Sequence, residues 1–187
     1  MRIVSGSLRG RSLAPPKDDR TRPTSDRVRE AMFNILAHGS HPVVFNSARV
    51  IDLFAGTGAL GLEAISRGAA FALFVEEDAS ARAVIRTNFE AFGLTGQTKI
   101  FRRDATELGP AAQMGQYDLA FLDPPYGMEL GPRALSALAA GGWLKPNAMT
   151  VLEERGDTMV PVPPGFTIVD QRTWGDTQAL FMRWQSQ

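Results

Sequence analysis

The sequence predicts an α/β fold: a mostly parallel, seven-stranded sheet with helices on both faces, closed by an antiparallel hairpin. Three observations carry this. From residue 49 to about residue 153, short apolar runs alternate with stretches of helical period, and such alternation builds a parallel sheet from βαβ units. A Gly-x-Gly-x-x-Gly turn at Gly56, Gly58 and Gly61 joins the first apolar run to the first of these helical stretches. The chain then ends on two strand-like runs, 166–173 and 179–184, separated by a turn containing Gly175 and Asp176, residues suited to a tight hairpin connection.

Taken in order, residues 2–13 alternate loosely around Gly6 and Gly10, predicting a short β-hairpin or bulged ribbon as an N-terminal extension. Residues 15–23 form a polar, Pro-punctuated loop. Thr24 is placed to cap a helix whose first turn holds Asp26, where negative charge meets the helix dipole. Val28, Met32, Ile35 and Leu36 recur at helical spacing and define its core face, leaving Arg27 and Arg29 off that stripe. Strands follow at 49–54, 71–75, 99–102, 117–122 and 150–153. Helices follow after the Gly-rich turn to about residue 67, then at 79–92 and 130–140. In the 79–92 helix the buried candidates are Ala83, Val84, Phe89 and Phe92, and Gly93 closes it by accepting positive φ.

The 187 residues fit one globular domain, 24–187, preceded by a basic arm over 1–23. Hydrophobic content of 44% and charged content of 21% suit a soluble protein. The lack of cysteine excludes disulfides, cysteine zinc sites and a cysteine nucleophile. His38 and His41 fall in a loop without ligand-type neighbours, so no metal site is expected. No apolar run is long enough for a bilayer and the start has no signal-peptide core, so the expected location is cytoplasmic. Net charge is zero, yet residues 1–29 hold eight Arg and Lys against three Asp. A basic arm on an acidic body is a nucleic-acid-binding footprint. Arg9, Arg11, Arg22, Arg27 and Arg29 are its candidate contacts, since Arg grips phosphate bidentately and stacks on bases.

The chemistry concentrates at Asp123-Pro124-Pro125-Tyr126, directly after the apolar strand 117–122. Two prolines stiffen the loop, and ligands of open α/β sheets bind beyond the carboxyl ends of strands. A carboxylate, a bare carbonyl and a ring are thereby held around one small planar object. The tetrapeptide resembles the D/N-P-P-Y/F motif of methyltransferases acting on exocyclic base amines. Asp123 and the Pro124 carbonyl can accept the two N–H groups of such an amine, and Tyr126 can stack on the base. The target must be looped, single-stranded or flipped to reach them.

The Gly-rich turn leaves two cofactors open on spacing, because Glu76 follows Gly56 by twenty residues, as in dinucleotide sites. Asp52 argues against NAD: a carboxylate near the loop repels a pyrophosphate but attracts the ammonium of S-adenosylmethionine. In that reading Asp52 helps hold the amino-acid end, Gly56 and Gly58 permit close backbone approach to the cofactor, and Phe54, between Asp52 and Gly56, is a further cofactor-binding candidate. Glu76 accepts from the ribose hydroxyls, although the adjacent Glu77 could do so instead. Asp104 lies near the adenine amine, or starts a short helix through Asp104-Ala105-Thr106-Glu107, or does both.

Together these features resemble the RsmD family of 16S ribosomal RNA guanine-N2 methyltransferases. The resemblance rests on Gly6-x-x-Arg9-Gly10-Arg11-x-Leu13, on Arg22-Pro23-Thr24-x-Asp26-Arg27-Val28-Arg29-Glu30, on residues 52–64 around the Gly-rich turn, and on Asp123-Pro124-Pro125-Tyr126. It implies a class I, Rossmann-like, S-adenosylmethionine-dependent enzyme, monomeric and metal-free, acting on a loop guanine of the small ribosomal subunit or its assembly intermediate. The alternatives are a DNA adenine or cytosine amino methyltransferase, an NAD-dependent oxidoreductase, and an RNA-binding module without activity.

Overall fold

The computed structural model describes residues 1–15 and 25–185. Strands β1 (Arg49–Leu53), β2 (Phe71–Val75), β3 (Thr98–Phe101), β4 (Tyr117–Leu122), β5 (Leu144–Arg155), β6 (Phe166–Trp174) and β7 (Thr177–Trp184) form one sheet. Its order is β3-β2-β1-β4-β5-β7-β6. The first five strands pair in parallel, and β7 runs antiparallel to both β5 and β6. This is the class I, Rossmann-like arrangement, and the strand order reverses beside β1, where such sheets open a crevice.

Helices α1 (Asp26–His38), α2 (Ala59–Ser66) and α3 (Ala79–Ala91) cover one face, and α4 (Leu130–Ala140) the other. Period-two alternation divides the strands between two cores. Val50, Phe74, Leu119 and Phe121 pack towards α1–α3, while Ile51, Leu53, Leu73 and Leu122 pack towards α4.

Several local expectations change. Ser25 caps α1, accepting from the Val28 N–H at 3.2 Å; Thr24 lies outside the described residues. The buried face of α1 is Arg29, Met32, Phe33 and Leu36, with Val28 and Ile35 only half-buried. Ala83 is exposed, and Ile85 and Asn88 take the inner positions of α3. β5 begins well before residue 150, because its ladder to β4 resumes after an interruption at Pro146 and Asn147, the latter at φ +62°. Asp104 begins an Asx turn rather than a helix: its Oδ1 accepts from the Thr106 N–H and hydroxyl at 2.7 and 2.8 Å.

The N-terminal extension is a narrow ribbon with one bridge pair, Arg2 with Ser12. It is docked rather than free, since Ile3 and Leu13 are buried in the α1–α3 core. Gly6 sits where a Cβ would lie 1.8 Å from the Ser66 carbonyl, so only glycine allows the ribbon to approach α2 this closely. The expected boundary at residue 23 falls outside the described residues.

Candidate functional site

Parallel register brings the sequence candidates to one rim. Leu53 pairs with both Val75 and Leu122, and Val75 with Phe101. The next residues, Phe54, Glu76 and Asp123, therefore emerge side by side at the carboxyl ends of β1, β2 and β4.

The loop after β1 turns sharply, with positive φ at Phe54 (+58°), Gly56 (+55°) and Gly58 (+77°). A non-glycine residue in that region stores strain, which the surroundings must hold. Glu76 supplies part of the hold: its Oε2 accepts from the Gly56 N–H and its Oε1 from the Asp78 N–H, both at 2.9 Å. Each oxygen keeps a further lone pair for a ligand. Glu77 is exposed beside it. Gly58 is constrained from the core side as well. A Cβ there would meet Phe74 and Ile85 in the core at 3.2 and 3.4 Å, and Gly58 caps α2 in the left-handed conformation. Gly61 is packed more closely than Gly58, since its Cβ would lie 2.4 Å from Phe74 Cε1.

Asp52 is buried beneath this loop, and its Oδ2 accepts from the Gly61 N–H at 2.9 Å. Burial pushes its pKa well above the usual carboxylate range; the Gly61 N–H opposes this, and the charges of Asp123 and Glu76 add to it. The negative charges of Asp123 and Glu76 both act on the buried Asp52 carboxyl, so the field beneath the loop favours a cation.

Beside them opens a cavity of about 500 Å³, lined by Phe54, Glu76, Glu77, Arg103, Asp104 and Pro125 among others. Its volume suits a nucleoside-sized ligand. The Thr106 N–H and hydroxyl, with Arg133, hold the Asp104 carboxyl below its ordinary pKa, against some desolvation. Arg103 was not anticipated. It follows β3 in an ordinary polar pair, Arg102-Arg103, and nothing local distinguishes the residue that turns to the cavity.

Asp123 is half-buried, with its N–H directed at the Leu53 carbonyl at 3.5 Å. Pro124 is buried, while Pro125 is exposed at the cavity edge. The Tyr126 hydroxyl lies 3.1 Å from Thr177 Oγ1, so the β6–β7 hairpin steadies the ring. Its pKa is raised, by burial first; the Thr177 bond opposes this and Glu153, Asp123 and Glu154 add to it. The phenol is neutral at physiological pH.

The basic candidates separate. Arg9 and Arg27 are exposed. Arg11 is exposed too, but it donates to the Ala91 carbonyl at 2.6 Å and lies 4.7 Å over the Phe92 ring. Arg22 lies outside the described residues. Arg29 is corrected: its side chain is fully buried, so no nucleic acid reaches it in this structure. It donates to Asp26 at 2.8 Å and to the Arg2 carbonyl, and lies 3.8 Å from Glu63. Glu63, itself fully buried, accepts from Val4 and Ser5 N–H groups and from Arg67 at 2.8–3.0 Å. Arg29 thus braces the ribbon against α1 and α2. Among the described residues no group of three or more acids and histidines could hold a metal ion, and no helix is long and apolar enough to cross a membrane.

Comparison with known proteins agrees with this geometry. Residues 1–183 match the family model described as Conserved hypothetical protein 95. The chain is 33% identical over 177 residues to Ribosomal RNA small subunit methyltransferase D of Haemophilus influenzae, covering 94% of this chain and 89% of that one. It is 36% identical over 165 residues to the protein of the same name from Escherichia coli K12, covering 88% and 79%. Among solved structures, the candidate methyltransferase yhhF of Escherichia coli superposes with a TM-score of 0.84 at 31% identity, covering 100% of this chain and 99% of its own. With a family model spanning residues 1–183 and curated relatives at 33–36% identity over most of the chain, the chain belongs to the RsmD-type ribosomal RNA methyltransferase family.

Proposed function

We propose that this protein transfers a methyl group from S-adenosylmethionine to the exocyclic N2 amino group of a guanine in 16S ribosomal RNA. The observation that carries the reading is the placement of Asp123-Pro124-Pro125-Tyr126 on the same rim as an acid-lined cavity of nucleoside size. The relatives named above, called ribosomal RNA small subunit methyltransferases, support the substrate. Action on ribosomal RNA also fits a cytoplasmic enzyme.

The residues present suit the cofactor. The charges of Asp123 and Glu76 raise the cost of ionising the buried Asp52, and a ligand bearing ammonium and sulfonium charges relieves that repulsion. Asp52 would face the amino-acid end. The two N–H bonds that aim Glu76 support it, over the exposed Glu77, as the ribose acceptor. Asp104, kept ionised, suits the adenine amine. When bound, S-adenosylmethionine supplies an electrophilic methyl on a sulfonium centre.

The protein's own work is alignment, worth on the order of 7–11 kcal/mol when good. A guanine amino nitrogen is a poor nucleophile because its lone pair is delocalised into the ring. Asp123 and the Pro124 carbonyl accept its two N–H groups and favour a tetrahedral nitrogen. Tyr126 supports the base by stacking, and its neutral hydroxyl stays with Thr177. As the N–C bond forms, the nitrogen acquires positive charge, and Asp123 is placed to receive the proton. Arg9 and Arg27 hold phosphates outside the pocket.

Incubation with labelled S-adenosylmethionine and, in parallel, undermethylated small ribosomal subunits or DNA should label 16S RNA, with N2-methylguanosine as the modified nucleoside by mass spectrometry. Asp123→Ala should abolish this while S-adenosylhomocysteine still binds. Label confined to DNA, or to another nucleoside, would reject the assignment.

A further inference from the structure

Asn88 has no part in the chemistry above, yet its amide joins two regions that the reaction needs together. It is 2% exposed, on the inner face of α3. Its Nδ2 donates to the Thr57 carbonyl at 3.0 Å, and its Oδ1 accepts from the Ala14 N–H at 2.7 Å. Thr57 stands between Gly56 and Gly58, at the centre of the cofactor loop. Ala14 belongs to the returning arm of the N-terminal ribbon, the element that carries Arg9. One other contact joins the same regions, Thr57 Oγ1 to Met1 Sδ at 3.7 Å, and Glu63 of α2, the helix that follows the loop, accepts from the Val4 and Ser5 N–H groups of the ribbon.

The loop needs such a tie because three of its residues have positive φ. Gly56 is held by Glu76, and Gly58 by the Ala55 carbonyl at 2.7 Å. Asn88 holds the residue between them from a separate element. A site that adopts its binding shape only part of the time binds with affinity reduced by that fraction.

We propose that Asn88 is a positioning residue that keeps the cofactor loop in its binding shape and registers it to the N-terminal ribbon. The inference rests on the cofactor reading above. It also accounts for the residue type, since the position requires a donor and an acceptor on one short planar group. Asn88→Asp keeps an acceptor for Ala14 but turns a second acceptor towards the Thr57 carbonyl. Asn88→Leu removes both links.

The test is calorimetric titration of the full-length chain with S-adenosylhomocysteine, alongside amide hydrogen exchange. Asn88→Asp should bind roughly tenfold more weakly, the equivalent of one hydrogen bond. Its KM for S-adenosylmethionine should rise while kcat at saturation stays near wild type. In the wild type the ligand should slow exchange at Ala14, outside the cavity; in Asn88→Leu that protection should vanish while Gly56 and Asp78 still respond. Wild-type affinity in both variants, including a lowered Tm with affinity unchanged, would overturn the inference. So would ligand-independent exchange at Ala14 in the wild type. Failure of the wild type to bind S-adenosylhomocysteine would overturn the cofactor reading itself.

Discussion

Asp52→Asn separates two consequences of burying a carboxylate under the cofactor loop, and they have opposite signs. Asp52 is 1% exposed and its pKa lies well above the ordinary 3.8, through burial and the nearby charges of Asp123 and Glu76, despite the Gly61 N–H. Between 3.8 and the raised folded value, the folded chain holds a proton that the unfolded chain has released. The contribution of Asp52 to stability is therefore full below pH 3.8 and is lost as pH rises through the folded pKa. The slope is at most about 1.4 kcal/mol per pH unit for one group. Asparagine keeps an oxygen for the Gly61 N–H and carries no charge, so the decline disappears. Urea unfolding of both proteins from about pH 4 to about pH 8 should give a stability difference that widens with pH in favour of the variant. Other titrating groups cancel to first order in that difference. The ligand should report the reverse. S-adenosylhomocysteine retains the ammonium, and loss of a charged acceptor worth about 1.5–3 kcal/mol should weaken its binding to the variant roughly 10- to 100-fold. Wild-type affinity should rise with pH, because ionised Asp52 is the accepting form. A pH-independent stability difference would refute the burial argument. Unchanged affinity in the variant would refute the role of Asp52 towards the ligand.

Three further outcomes follow from the packing. Glu63→Ala strands Arg29 and Arg67 and two ribbon N–H groups; it should cost about 3–5 kcal/mol, a Tm fall of roughly 6–20 °C, and a calorimetric fall below about 2 °C would contradict this. Gly61→Ala drives a Cβ to 2.4 Å from Phe74, itself fully buried, and should destabilise by about 1–3 kcal/mol in denaturant titration. Arg9→Ala should weaken binding to single-stranded ribosomal RNA and lower the salt slope by about 0.7 without altering Tm, whereas Arg29→Ala should lower Tm; a reversal of the two readouts would return Arg29 to the RNA surface.

The order of strands and helices, the parallel sheet, its closing hairpin and the two loops of the site were all legible from local pattern. Apolar period distinguishes strand from helix, Gly and Pro mark the turns, and parallel strands carry their loops to a common rim. Hence β2, β4 and α4 were placed at their observed bounds, and Phe54, Glu76 and Asp123 could be expected together. Burial of polar groups was not legible, because it depends on partners distant in the chain. Arg29 has the same local surroundings as the exposed Arg27, and what takes it inside is Glu63, brought to it by the packing of α1 on α2. Asn88 and Arg103 sit in equally ordinary stretches. Their roles follow from the Thr57 carbonyl in one case and the cavity beside β3 in the other. Hydrophobic periodicity is a property of neighbours in sequence, whereas a buried hydrogen bond or ion pair exists only once the fold has brought its two halves into contact.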